Sequence, residues 1–276
     1  ASKDAHMNGP HTLAEHVGIF RTSVGAAFPG QRAVFRGHDL HHELQDLDWL
    51  TLCAFGIFGR HVPREQIQLM TSAFVYSSYP DARLWNNRVA ALAGTTRSTP
   101  NLAISAAQAI SEATIFGRGN EFRALDFFYK TQRALDAGAT LPEYLENFLQ
   151  SGGRMAGYGR PISTSDERVP LTLSLANRLG LTDGPYLKLA FDIDRYFEST
   201  GRPLRMNLSS LLSAFAADFG WTSREFNMQF FCAFLAGMFP CYLEAADKPP
   251  GATFPTPCTA VRYEGKASRT WQARTP

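Results

Sequence analysis

Residues 206–245 read MNLSSLLSAFAADFGWTSREFNMQFFCAFLAGMFPCYLEA, and the spacing of their apolar residues decides the fold class. Apolar side chains recur at steps of three and four, as at Leu208, Leu211 and Phe215. Such steps place side chains on one face of an α-helix. The stretch therefore predicts two amphipathic helices, over residues 206–219 and 223–246.

The aliphatic composition extends this prediction to the whole chain. The sequence holds 28 Leu and 35 Ala but only 8 Val and 8 Ile, whereas buried sheets favour β-branched residues. Leu and Ala enter helices at little entropic cost. We predict an all-α protein with one short hairpin at residues 30–37 and, besides the two helices above, helices over 41–58, 63–78, 82–94, 99–116, 121–137, 141–150, 167–179 and 184–199.

Composition and charge limit the classes of function. Of the 276 residues, 45% are hydrophobic and 19% are charged, which is typical of a globular protein and not of a disordered one. The net charge of +2 is too small to indicate binding to nucleic acid or to an anionic membrane surface. No apolar run approaches the length needed to span a bilayer, so we expect a soluble, cytoplasmic protein without a membrane partner.

Metal and redox chemistry find little support in the sequence. The cysteines lie far apart with no CxxC pair, which predicts free thiols and no zinc site. Three histidines cluster in RGHDLHHEL, but a metal site needs a further ligand at defined geometry, so we expect solvated helix-start histidines and no metal. The residues concerned are Cys53, Cys232, Cys241 and Cys258, and His38, His41 and His42.

Five stretches, in order along the chain, resemble the citrate synthase family. GYGRPISTSDERVP, at 157–170, resembles that family's glycine-rich ligand loop, and YPDARLWNNRVAALAG, at 79–94, resembles one of its helices. The others are FRGHDLHHELQDLDWLTLCAFGIFGRHVPREQ, residues 206–245, and PCTAVRYEG near the C-terminus. The match runs from about residue 34 to residue 265, and its length fits the short citryl-CoA lyase type and the C-terminal module of ATP-citrate lyase.

The resemblance implies an all-α, citrate-synthase-like homodimer in which a large domain carries a small mobile domain. We expect the large domain to comprise residues 7–117 and 221–276 and the small domain residues 118–220, with a ligand loop at 154–168. Residues 1–6 are interpreted as an expression-tag remnant. The tail from about residue 247, with Phe254, Tyr263 and Trp271, is expected to pack on a folded body and to wrap a partner subunit.

The resemblance also implies catalytic positions, and the sequence departs from the family at each of them. Asn120 stands where the family has an enol-stabilising His, Arg160 where it has a carbonyl-polarising His, and Ser209 where it has the catalytic Asp. Each also has a structural interpretation. Asn120 fits a helix N-cap, Arg160 a surface or helix-capping arginine, and Ser209 a helix-start or packing serine.

Other positions are retained or altered in ways that concern substrate binding. The resemblance implies that Arg88, Arg168 and Asn207 bind substrate, although Arg168 could instead form a salt bridge with Asp166 or Glu167. Phe234 and Cys241 replace polar family residues and look like filled space. The loop expected to cradle the adenine of CoA comprises Met155, Ala156, Gly157, Tyr158 and Gly159.

The function follows in two alternative forms. The first is an enzyme that makes or breaks a carbon–carbon bond between an acyl-CoA and an oxo-acid-like acceptor, with a non-standard active site. The second is an inactive homologue that binds CoA or acyl-CoA, or acts as a subunit. A serine is a poor base unless another group activates it, so the enzyme needs a replacement base. Asp166, Glu167 and Asp39 are candidates by elimination.

Overall fold

The computed structural model describes residues 9–18, 20–113, 117–160, 163, 165–252 and 257–271. Helices dominate this part of the chain, and the only strands in it are three short ones. In chain order the strands and helices are α1 Gly9–His16, β1 Gly25–Phe28, β2 Arg32–Phe35, β3 His38–Asp39, α2 Trp49–Phe58, α3 Arg64–Ser77, α4 Trp85–Thr95, α5 Pro100–Ile110, α6 Gly119–Asp136, α7 Leu141–Gln150, α8 Arg168–Arg178, α9 Pro185–Ser199, α10 Leu208–Asp218, α11 Ser223–Gln229 and α12 Leu235–Asp247. The predicted all-α class is confirmed.

Each of the ten predicted ranges contains a helix. The helix in the range 99–116 ends early, at Ile110, and two further ranges have wrong bounds. The first, predicted over 41–58, begins only at Trp49. The reason is local hydrogen bonding: the Asp39 carboxylate accepts from the backbone N–H groups of His41 and His42 and holds a turn there. The Asp48 carboxylate then caps α2 by accepting from Leu50 and Thr51 N–H.

The second wrong bound concerns the helix predicted over 223–246. It is broken into α11, a 3-10 turn at Phe230–Cys232, and α12. Phe234 lies in the left-handed region with φ 71°, a conformation that ends a helix and that bulky residues rarely adopt. The sequence pattern missed this break because the apolar spacing continues across it.

The same stretch bears on membranes. Residues Ser223–Asp247 are long and apolar enough to cross a membrane by length and composition, which alone is weak evidence. The prediction that no apolar run approaches the length needed to span a bilayer is therefore wrong. The break at Phe234 leaves backbone groups outside a regular helix, which lipid does not tolerate unless protein covers them. This favours a core segment over a membrane span.

The predicted hairpin exists but begins earlier than expected. Strand β1 pairs antiparallel with β2, with Ala26 opposite Val34, and β2 pairs with the two-residue β3. The prediction of 30–37 included β2 and its turns and missed β1. The small residues of β1 explain the miss, because GAAF carries little strand propensity.

The chain divides into two compact units. The first comprises residues 1–77 and 113–233, and the second residues 78–112 and 234–276. The first unit is built around α10, which is buried over most of its length and packs against α6 and α9. The ligand loop and α8 also belong to this unit. The large and small domains expected from the sequence have other bounds and stay a prediction.

The second unit is a three-helix packing of α4, α5 and α12. Its core is built from small residues, including Ala90, Ala103 and Ala107, which let the helices approach closely. Met238 and Tyr242 of α12 close this core. The Tyr242 hydroxyl donates to the Ser98 carbonyl at 2.8 Å, so the polar end of this ring is satisfied.

The C-terminal tail does not pack on this chain as expected. Tyr263 is 77% exposed and Trp271 is 90% exposed. Phe254 lies outside the described residues, so its packing stays a prediction. Residues 1–6 also lie outside them, and their assignment as an expression-tag remnant stays a prediction. Cys53, Cys232 and Cys241 are free thiols. The side chain of Cys258 lies outside the described part of the chain, so its free thiol stays a prediction.

Gly94 tests the close approach of α4 and α12. A Cβ at Gly94 would lie 2.4 Å from the Tyr242 carbonyl oxygen, which is backbone and cannot easily move. We expect Gly94→Ala to lower the free energy of unfolding by about 2–3 kcal/mol, although Ala favours a helix over Gly by about 1 kcal/mol. Thermal and urea unfolding measure the difference.

The matched control is Gly56→Ala in α2. There the added methyl would meet only the Cζ end of the Phe35 side chain, at 2.9 Å, which can turn aside. We expect a change within about 1 kcal/mol. A Gly94→Ala protein as stable as the Gly56→Ala protein would contradict the packing assigned to α4 and α12.

Candidate functional site

The loop Met155–Gly159 is fastened to the segment that leads into α10. The Gly159 N–H donates to the Arg205 carbonyl at 2.6 Å, and the Asn207 N–H donates to the Gly157 carbonyl at 3.0 Å. The Asn207 side-chain amide also donates to the Gly159 carbonyl at 2.9 Å. The loop therefore forms an isolated antiparallel bridge with 205–207, in which Tyr158 lies opposite Met206, and its backbone lies over the start of α10.

Glycine is required at one point of this loop. Gly157 has φ 86°, and a Cβ there would lie 2.7 Å from the Cβ of Ser210 in the first turn of α10. Met155 and Tyr158 are buried, and the Tyr158 hydroxyl donates to the Ala190 carbonyl at 2.8 Å. Burial raises the pKa of Tyr158, so its hydroxyl stays protonated. Side chains thus anchor the loop inward.

Asn207 has two roles in this arrangement. Its side-chain oxygen caps α10 by accepting from Ser209 and Ser210 N–H, while its amide holds Gly159. One side chain thereby fixes both the helix N-terminus and the loop. Its prediction as a substrate-binding residue stays a prediction.

Asp166 is the centre of the second part of the site. Its two oxygens accept from Arg168 Nε at 2.8 Å and Nη2 at 2.7 Å, a bidentate pair. One of them also accepts from the Leu208 N–H at 2.9 Å, at the first residue of α10. Arg168 Nη1 donates to the Ser77 hydroxyl at 3.2 Å, at the end of α3. One carboxylate therefore joins α8 and α10, and through Arg168 it reaches α3.

The environment decides the charge of Asp166. Burial alone would raise the pKa of this carboxyl, but hydrogen bonds and charge from Arg168 and the Leu208 N–H outweigh it and lower the pKa below its ordinary value. Asp166 is therefore ionised at neutral pH. Arg168 therefore forms a salt bridge with Asp166, as its alternative, structural interpretation predicted.

Arg160 holds the other side of the same loop. Its Nη1 donates to the Ser165 carbonyl at 3.1 Å and to Glu167 Oε2 at 2.5 Å, and it lies 3.8 Å from Asp166 Oδ1. These contacts use a single nitrogen of the guanidinium. Nε and Nη2 make no hydrogen bond to the described part of the chain, and the side chain is 19% exposed.

Ser209 contacts a residue that sequence reasoning missed. Its hydroxyl donates to Glu121 Oε1 at 3.0 Å, and the nearby Ser213 hydroxyl donates to the Glu121 carbonyl at 2.9 Å. Glu121 is the third residue of α6, and its sequence context reads simply as an acidic residue in a first helical turn. Only the packing of α6 on α10 brings it to Ser209, so no local signal could have found it.

Asn120 is not the helix N-cap that one interpretation predicted. Helix α6 begins at Gly119, with Arg118 in the cap position, so Asn120 lies inside the first turn. Its side-chain oxygen accepts from Arg123 Nη2 at 2.9 Å. Arg118 is buried and its Nη1 donates to the Phe231 carbonyl at 3.1 Å.

The remaining predicted residues lie apart from this cluster in the chain. Arg88 is an exposed residue of α4, in the second unit. Phe234 and Cys241 pack in the core clusters of that unit, as expected of filled space. Phe234 and Cys241 lack the polar groups that the resemblance implies at their positions. The substrate-binding role of Arg88 stays a prediction.

The histidine cluster forms no metal site in the part of the chain that is described, where no group of three or more His, Cys, Asp or Glu could hold an ion. His38 Nδ1 lies 2.8 Å from Glu43 Oε2. His38 belongs to β3, and His41 and His42 lie in a turn and not in the predicted helix. Asp39 Oδ1 holds that turn. Glu167 is engaged by Arg160.

Comparison with known proteins gives a fold and no sequence family. No family model matches the chain, and no curated protein matches it by sequence. Solved structures do match, and they define the class: the chain has the citrate-synthase-like helical fold. The fold expected from the five stretches is confirmed.

Three solved structures illustrate this similarity. Citryl-CoA lyase from Hydrogenobacter thermophilus matches with a TM-score of 0.78 and 17% identity, over 92% of this chain and 98% of that chain. ATP citrate lyase from Methanothrix soehngenii, in complex with citrate and coenzyme A, matches with a TM-score of 0.72 and 14% identity, over 94% and 44%. Citrate synthase from Thermotoga maritima matches with a TM-score of 0.64 and 16% identity, over 83% and 61%.

These shares differ in an informative way. The chain spans nearly the whole citryl-CoA lyase but less than half of the ATP citrate lyase chain and less than two thirds of the citrate synthase chain.

Replacing Asp166 tests its central position. In Asp166→Asn the Arg168 guanidinium loses its charged partner while still mostly buried, and we expect a loss of about 3 kcal/mol in the free energy of unfolding. The lowered pKa of Asp166 also means that its contribution is present above the unfolded pKa of 3.8 and fades as pH falls through the folded value. Urea unfolding between pH 2 and pH 7 measures both effects.

Glu167→Gln is the control for that experiment. It removes an ion pair whose carboxylate is 60% exposed, so we expect a change below about 1 kcal/mol. Equal losses in the two variants would contradict the role of Asp166. So would an acid transition in Asp166→Asn as steep as in the unaltered protein.

Proposed function

We propose that this chain is an enzyme that makes or breaks a carbon–carbon bond between an acyl-CoA and an oxo-acid-like acceptor. The observation that carries the proposal is the match over 98% of a citryl-CoA lyase, combined with a glycine loop that lies on the start of α10. The pairing of this loop with 205–207 gives a rigid backbone surface. Such pre-organised surfaces favour ligand binding because little entropy is lost on association.

The loop Met155–Gly159 is the proposed CoA site. Gly159 has φ 87°, and the nearest atom to a Cβ there would be the flexible Cδ2 of Leu204, at 3.3 Å. This contact is tight, but Leu204 Cδ2 is the end of a flexible side chain, so a ligand approaching the Gly159 backbone needs that side chain to turn aside. That ATP citrate lyase has been solved with coenzyme A supports the same ligand class here.

The proposed acceptor site is formed by Arg160, Arg168 and Asn207. Arg160 keeps Nε and Nη2 for a ligand, and an arginine pairs with a carboxylate in a bidentate manner. Because it stays protonated, it can polarise or bind but cannot relay a proton. Asn120 is proposed to donate to a developing oxyanion.

The second candidate is a CoA-binding or subunit protein without catalysis. The observation that favours it is the loss of a carboxylate at Ser209 and of a polar side chain at Phe234. It shares the CoA site with the first candidate. Binding without turnover would identify it.

We also propose that the chain forms a homodimer through α5 and α12, in the cytoplasm, where free thiols such as those described are stable. Leu102 is 67% exposed, Phe239 46% and Leu243 57%. A groove of about 410 Å³ between these helices is lined by Ile104 and Phe239 among other apolar residues. Exposed apolar surface of this kind marks interaction sites.

Calorimetric titration with CoA and acetyl-CoA tests the nucleotide site. We expect micromolar binding, weakened at least tenfold in Gly159→Val because the side chain fills the space over the loop. Gly138→Val is the matched control: Gly138 also has positive φ, with nothing within 4 Å of a Cβ. Both variants place a β-branched residue at a positive φ, and thermal unfolding shows whether the Leu204 contact at Gly159 costs further stability. Weaker CoA binding in a folded Gly159→Val protein then reports the ligand contact.

The same protein is then supplied with (3S)-citryl-CoA, and release of acetyl-CoA is followed. Cleavage supports the enzyme, and CoA binding without cleavage supports the second candidate. Absence of CoA binding in the unaltered protein would contradict both.

Phe239→Glu tests the dimer. A charge in the groove of α5 and α12 should convert the dimer to a monomer, as measured by sedimentation velocity. Val75→Glu is the control, since Val75 is 71% exposed on α3 of the first unit. A monomer before any substitution, or a dimer that survives Phe239→Glu, would contradict the proposed interface.

A further inference from the structure

Glu121 is held in place at three points in the first unit. Its Oε1 accepts from the Ser209 hydroxyl at 3.0 Å and its backbone carbonyl accepts from the Ser213 hydroxyl at 2.9 Å, both from α10. Its own position in the first turn of α6 fixes the main chain. The carboxyl group therefore has a defined orientation before any ligand arrives.

The second oxygen of this carboxyl group is different. Glu121 Oε2 is buried and has no hydrogen-bond partner among the described residues. Leaving a charged or polar atom buried without a partner costs stability, so such atoms are rare in folded proteins. An oriented carboxylate with one oxygen bonded and the other vacant has the geometry of a proton acceptor.

Four groups favour the charged form of Glu121. Its own backbone N–H and the Ser209 hydroxyl of α10 do so by hydrogen bonding, and the guanidinium groups of Arg168, at the start of α8, and Arg118, just before α6, do so by their charge. Burial raises the pKa of Glu121, while the Ser209 hydrogen bond and the two arginines act in the opposite direction. A carboxylate is a weak base when fully hydrated, and burial makes it a stronger one.

The other carboxylates considered for this role are already engaged. Both oxygens of Asp166 accept from Arg168, and Glu167 pairs with Arg160. Asp39 holds the turn at His41 and His42. Glu121 differs from them because its second oxygen is buried without a partner among the described residues. It also contacts Ser209, the residue that stands where the resemblance implies a base.

We propose that Glu121 is the general base of this site, with Ser209 as the residue that positions it. The inference rests on the proposed function. In the step assigned to it, the Cα–H bond of the acyl thioester breaks and the proton passes to a Glu121 oxygen. The electron pair of that bond forms the enolate double bond, and the carbonyl π pair moves to the thioester oxygen. Arg118 and Arg168 remain nearby and offset the charge that has moved from Glu121 to the enolate.

Deuterium exchange isolates this step, because it needs neither an acceptor nor bond formation. The full-length protein is incubated with acetyl-CoA in D₂O, and deuterium in the acetyl group is measured by mass spectrometry. We expect the unaltered protein to catalyse exchange and Glu121→Gln to slow it about 100-fold or more. Glu121→Asp, which keeps a carboxylate, should retain more exchange than Glu121→Gln. Glu65→Gln, at an exposed carboxylate in the first turn of α3, should exchange at the unaltered rate.

Ser209→Ala separates positioning from catalysis. Removing the hydrogen bond that lowers the pKa of Glu121 should move the midpoint of the exchange–pH profile to higher pH, since the base acts when deprotonated. A purely structural serine would change stability and leave this midpoint in place. Thermal unfolding of each variant shows whether it folds, and Glu121→Asp provides a second test if Glu121→Gln does not.

The outcomes distinguish the inference from the function on which it rests. Exchange at the unaltered rate in folded Glu121→Gln would overturn the inference while leaving the enzyme. CoA binding without exchange in the unaltered protein would overturn it in favour of the non-catalytic alternative. Absence of both CoA binding and exchange would overturn the proposed function itself.

Discussion

The Asp166 carboxylate is the interaction on which the site depends. It accepts from Arg168 with both oxygens and from the first backbone N–H of α10, so one charge fixes the start of two helices. The N-terminus of a helix carries partial positive charge, and a buried anion there satisfies groups that would otherwise lack partners. Without this anion, Arg168 would lose its charged partner and the Leu208 N–H would lose its acceptor, while Asn207 would still cap the next two N–H groups of α10.

This arrangement also separates the roles of the charged groups. Arg160 and Arg168 are always protonated, so neither can move a proton. The carboxylates beside them, Glu167 and Asp166, are engaged in pairing. In the proposed mechanism, proton transfer is therefore assigned to the contact between α6 and α10, where Glu121 accepts a hydrogen bond from Ser209. The proposed site thus has one region assigned to anion binding and another assigned to proton transfer.

Much of the fold could be predicted from sequence, because it depends on local patterns. Apolar steps of three and four located the helices, and the Ala- and Leu-rich composition gave the class. The bounds failed where a single residue overrides the pattern, as Asp48 does by capping α2 and Phe234 does by adopting a left-handed conformation. The apolar period continues through Phe234 and so carries no sign of the break.

The site was less predictable than the fold, for a physical reason. The glycine loop can be recognised in the sequence, because the positive φ values at Gly157 and Gly159 favour glycine at those two positions. A general base carries no such local signal in the sequence. A carboxylate at Ser209 would have been read from the motif, whereas Glu121 lies 88 positions away in the chain and reaches the same point only through helix packing. A sequence motif specifies where a residue stands in the chain, whereas proton transfer requires only that a carboxylate oxygen lie close to the proton in the folded protein. Three missing family residues therefore do not by themselves decide between an inactive homologue and an enzyme, since the group that matters can be supplied by a neighbouring helix.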